Sequence, residues 1–167
     1  MKTGRLTKRE TELINLCTSI VAGCQPCTKY HVKKCKETGI SEKNINEVIK
    51  KTEHICHNAT EIMLSKAREW VNIMDKKTLN PVVECDSRMD ILIGIAVSYT
   101  VNNTALFEFF LNYAGNTGIS NKEISDIIES AKFIYGKAKA HVDIISEQYG
   151  MIKQSNEGKD CKPGCNC

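Results

Sequence analysis

The tetrapeptide TGIS occupies Thr38–Ser41 and returns at Thr117–Ser120. From Gly39 to Gly118 the shift is 79 residues. In each copy a glycine precedes a serine by two positions. That is the punctuation of one helix stopping and another starting, with Gly just past a C-terminus and Ser as an N-cap. The same shift pairs Ile14 with Ile93, Ser19 with Ser98, Ile45 with Ile124, Ile49 with Ile128 and Ile55 with Ile134. The matches fall on caps and on apolar faces, the positions that a duplicated helical unit would keep.

Periodicity agrees with an all-α chain. Leu13, Leu16, Cys17, Ile20 and Val21 mark one face of a first helix over about 6–23, and Gly23 with Pro26 breaks it. A second helix runs over 24–38. Ser41 starts a third with Ile45, Val48, Ile49 and Ile55, and a fourth covers about 58–75. In LNPVVECDS the period fails, which places a connector there. Helices resume over 89–101, 104–116 and from 120 to about 152. No alternating β-branched run argues for a sheet. The expected organisation is a first repeat at 1–77, a connector at 78–87, a degenerate second repeat at 88–152 and a Cys-rich tail at 153–167.

Composition bounds the function. Apolar content of 41% and charged content of 26% suit a folded globular chain. A net charge of +3, scattered in sign, gives no basic patch for nucleic acid. No apolar run reaches the roughly 18–20 residues of a membrane span. Nine cysteines is many for 167 residues, yet the count is odd and the chain is long enough to stabilise itself without disulfides. Thiol or metal chemistry in the cytoplasm is therefore expected. The VAGC at Val21–Cys24 also fits a lipoprotein cleavage box. Against that, Glu10 and Glu12 interrupt the basic start, and Ile14 and Ser19 have partners in the second unit.

The chemistry concentrates in VAGCQPCTKYH, Val21–His31. At the shift of 79, Asn103, Leu106 and Phe110 stand in for Cys24, Cys27 and His31, so the fold does not require those three. A CxxC pair at a helix start meets unpaired N–H groups and a partial positive charge, which favour thiolate. His31 lies one turn beyond Cys27 on the same face and is placed to take its proton. Cys27 is then the nucleophile, and Cys24 the resolving thiol, expected nearer solvent. Glu12, on the preceding helix, is the candidate to orient His31. A zinc knuckle built on Cys24, Cys27 and His31 is the rival reading, with no fourth ligand evident nearby.

Glu12 followed by CxxC twelve residues on, a histidine four after the second cysteine, then TGIS and an Ile-rich helix resembles the AhpD-like branch of the carboxymuconolactone decarboxylase superfamily. The resemblance covers about 6–55, with the second unit as a degenerate copy. It implies an all-α fold, a homo-oligomer and a dithiol that reduces peroxides or a partner disulfide. Electrons would come from an external dithiol or a redox partner protein, with no bound organic cofactor. The family's proton relay would map onto Glu12, His31, Cys27 and Cys24. Pro26 stands where alkylhydroperoxidase-D proteins have a histidine, and those proteins carry their dithiol in the second unit.

The remaining cysteines and histidines divide in two. Cys17 and Cys35 lie on apolar faces and are expected in the core, and His54 and His57 of the HICH run are expected on a solvated helix face. Cys161, Cys165 and Cys167 crowd a tail with no apolar period. They suit a soft metal or metalloid, or a thiol shuttle to the dithiol. A soft-metal binding protein using that tail is the alternative function.

Overall fold

The computed structural model describes residues 4–73 and 85–150. Six helices take up 81% of them, and no strand occurs among the described residues, so the all-α expectation holds. They are α1 (Lys8–Val21), α2 (Gln25–Glu37), α3 (Glu42–Trp70), α4 (Arg88–Thr100), α5 (Thr104–Asn116) and α6 (Asn121–Gln148). The C-terminal tail and most of the connector lie outside the described residues.

Side-chain caps set the helix starts. Thr7, Ser87 and Ser120 each accept from the backbone N–H of the third helical residue, while Glu10, Asp90 and Glu123 reach back to the cap. These reciprocal pairs satisfy N–H groups that a helix start leaves orphaned. The two TGIS turns do what their sequence predicts. Gly39 and Gly118 adopt φ of +74° and +71°, and Ser41 and Ser120 cap the helices that follow. The apolar pattern predicts two helices over 41–75. The structure has one helix of 29 residues there, because HICHNATEI holds neither proline nor glycine to stop it.

Helices α1 and α4 form the centre. Every residue from Ile91 to Ser98 is buried, as befits a helix that is apolar on nearly all sides. Helix α2 packs on α1 and α5 on α4, while each long helix, α3 and α6, lies against both α1 and α4. Each long helix thus bridges the two central helices.

One ion-pair network joins three helix starts. The Arg88 guanidinium donates to Glu10 at 2.9 Å and to Glu123 at 2.6 Å. Burial opposes ionisation of both carboxylates. Hydrogen bonds from the cap residues Thr7 and Ser120, together with Arg88, outweigh it and hold both pKa values below the usual range. Folding stability from these groups is present above the ordinary carboxylate pKa and is lost as pH falls through the depressed values. Arg88→Ala is expected to cost about 2 kcal/mol, below the figure for a fully buried pair because Arg88 is partly exposed. Denaturant midpoints should show that gap at pH 7 and a narrower one in acid.

Candidate active site

The dithiol sits where α1 hands over to α2. Gly23, at φ +68°, turns the chain, and Cys24 becomes the N-cap of α2. Its sulfur accepts the backbone N–H of Cys27 at 3.3 Å. Pro26 falls in the first turn, where its missing N–H has no helical partner to lose. Cys24 and Cys27 form a disulfide, with Cα atoms 5.3 Å apart. The N–H groups at this helix start stabilise negative charge, so a thiolate released at Cys24 is favoured.

His31 and Glu12 meet as the sequence anticipated. His31 Nδ1 lies 3.0 Å from Glu12 Oε2, and both side chains are largely buried. Helix α1 runs back past the start of α2 because the turn at Gly23 is tight, and that brings residues 19 apart into contact. The Tyr30 ring stands edge-on to His31 at 5.1 Å between centroids. At the shift of 79 residues Ile91 and Phe110 stand for Glu12 and His31, and both are buried. A polar pair in one half is matched by an apolar pair in the other.

The other free thiols are quiet. Burial pushes Cys17 up to about 12 and Cys35 up to about 11. Cys56 and Cys85 are also raised by burial. At neutral pH these remain protonated, and the thiolate is the reactive form. Cys17 and Cys35 are core residues, as expected. His54 and His57 lie on an exposed face, where His54 meets Asn58. Cys161, Cys165 and Cys167 lie outside the described residues.

Two expectations need correction. Cys24 is not set apart from Cys27 by access to solvent: both are buried, at 3% and 2% exposed. Helix α6 is the reason: Ala138 packs on both cysteines in a small apolar cluster of their own. Nor is His31 the imidazole that groups with the two sulfurs as possible metal ligands. That residue is His141 of α6, whose ring nitrogen and the two sulfurs lie within 4.8 Å of one another. His141 Nε2 is buried with no hydrogen-bond partner. The sequence did carry a signal for it. Ile127, Ala131, Ile134 and Ala138 form a buried stripe at alternating steps of four and three, and His141 takes its next place.

A cleft of about 270 Å³ between α1 and α6, lined by Leu6, Thr11, Asn15, Asp126 and Ser130, holds none of these residues. No described helix is long and apolar enough to cross a membrane.

Residues 1–64, which take in α1, α2 and most of α3, match the model of the carboxymuconolactone decarboxylase family. No curated protein and no solved structure gives a significant match. The matched segment and the Cys24–Cys27 pair fit a dithiol protein of the AhpD type.

Proposed function

We propose, on the premise that residues 1–64 carry a carboxymuconolactone decarboxylase family unit, that the protein is a thiol-disulfide oxidoreductase reducing peroxides or a partner disulfide through Cys24 and Cys27. The observation that carries this reading is the Glu12–His31 hydrogen bond beside a disulfide at a helix start. Donation from Nδ1–H to Glu12 leaves the Nε2 lone pair of His31 free to take the Cys27 proton. The Cys27 thiolate attacks the peroxide oxygen, the O–O bond breaks, an alcohol leaves and Cys27 becomes a sulfenic acid. Cys24 attacks that sulfur, closing the disulfide and releasing water. An external dithiol then attacks Cys27, and Cys24 departs as a thiolate stabilised by the helix start. No bound organic cofactor enters the cycle.

The two halves are read as copies of one unit, of which only the first kept its chemistry. Exposed apolar residues at corresponding helix ends, Met63 and Trp70 on α3 and Val142 on α6 with its C-cap Tyr149, support assembly into a homo-oligomer. Such a protein needs neither nucleic acid nor membrane, and its dithiol suits the cytoplasm.

The test is dithiol-dependent turnover of an organic hydroperoxide and, separately, of a model disulfide. No turnover of either would sink the reading. A double variant, Glu12→Ile with His31→Phe, installs the pair found at Ile91 and Phe110. It is expected to fold and to keep its disulfide, while turnover falls by about 10²–10⁴-fold, the usual worth of general acid–base catalysis. Glu12→Gln alone should cost less, because the amide oxygen still accepts from Nδ1–H.

A further inference from the structure

We infer that reduction of the Cys24–Cys27 disulfide opens a soft-metal site made of the two thiolates and His141, taking a thiophilic divalent ion such as zinc or cadmium. The inference rests on the dithiol being reducible, as the proposed function requires. Three observations carry it. The two sulfurs and a ring nitrogen of His141 already lie within 4.8 Å of one another. Ligand atoms around a tetrahedral zinc ion stand about 3.5–3.8 Å apart, given Zn–S near 2.3 Å and Zn–N near 2.0 Å. The sulfurs must part and the nitrogen must close slightly, which side-chain rotation at Cα atoms 5.3 Å apart permits.

The second observation is that His141 Nε2 is buried without a partner. A buried imidazole nitrogen left unpaired carries a desolvation cost that a ligand would remove. The third is that the other nearby imidazole, His31, does not group with the two sulfurs. Soft thiolates with one imidazole are a donor set suited to zinc and its heavier congeners.

The balance is simple. An external dithiol becomes a disulfide as the Cys24–Cys27 bond breaks and two thiols form. The divalent ion then displaces both thiol protons to solvent as two metal–sulfur bonds form. Metal and disulfide are mutually exclusive, so the ion binds only the reduced protein and blocks its turnover. Three protein ligands leave one tetrahedral position open.

The experiment uses the full chain with Cys161→Ser, Cys165→Ser and Cys167→Ser, so that the tail does not compete. The protein is reduced anaerobically, its thiols are counted, and cadmium is added while the thiolate-to-metal absorption is followed. One ion per chain is expected in the reduced form and none in the oxidised form. His141→Leu keeps the volume and removes the ligand, and should weaken binding by about tenfold or more, judged against the 10–100-fold effect of losing even an outer-shell partner. His141→Cys restores a ligand and should bind more tightly than His141→Leu, which guards against a folding artefact. Equal affinity of the parent and His141→Leu overturns the inference, as does the absence of binding once two additional thiols have appeared. If no additional thiols appear on reduction, the dithiol reading falls with it.

Discussion

Cys27→Ser is expected to abolish dithiol-dependent hydroperoxide turnover, lowering it by about 10³-fold or more, as loss of a covalent nucleophile does. The substitution removes the Cys24–Cys27 disulfide but leaves the packing nearly unchanged. Cys27 is buried against Ala138, and a hydroxyl nearly matches the thiol in volume. Cys24→Ser should behave differently. It leaves the nucleophile in place and removes the thiol that resolves it, so one peroxide is consumed per chain and a sulfenic acid accumulates, detectable by mass. Cys17→Ser is the control. Its thiol sits in the core with a pKa pushed up to about 12, so turnover should persist while stability falls. Equal loss in all three variants would mean that the assay reports folding. Persistence of turnover in Cys27→Ser would mean that Cys24 or another thiol is the nucleophile.

The sequence displayed much of this arrangement, and its limits are physical. Caps and turns are local, so Ser41, Ser120, Gly39 and Gly118 could be read directly. The Glu12–His31 contact was legible because a tight turn at Gly23 leaves two adjacent helices few ways to pack. The length of α3 was misjudged because helix continuation is decided by the absence of a breaker, a weaker signal than the presence of a cap. His141 could not be placed at the dithiol by any local rule. It lies 114 residues beyond Cys27, and it arrives there because α6 packs along both α1 and α4. The same packing explains why Cys24 is covered. A stripe of apolar positions says that a helix face is buried, but not which neighbour buries it.

The packing of α5 on α4 depends on close contact at Gly94, and there a single methyl group should have a large effect. Gly94→Ala is expected to destabilise the protein by about 3 kcal/mol, at the upper end for inserting atoms into a packed core. A Cβ at Gly94 would lie 2.1 Å from Cε1 of Phe110 and 2.2 Å from Cδ1. Phe110 is fully buried and has nowhere to retreat. Against this stands the helix preference for alanine over glycine, about 1 kcal/mol, so the steric term decides the sign. For a chain of this size the loss amounts to roughly 10 °C in Tm. Phe110→Leu shortens the side chain at the point of collision. The double variant should therefore recover stability relative to Gly94→Ala, a coupling that calorimetry of the four proteins would reveal. Additive losses would show that α4 and α5 part freely. Because Phe110 lies 79 residues after His31, the shift of the proposed repeat, the outcome also bears on function. If that position is structural in one half and chemical in the other, Gly94→Ala should lower the melting temperature while leaving turnover of the folded protein intact.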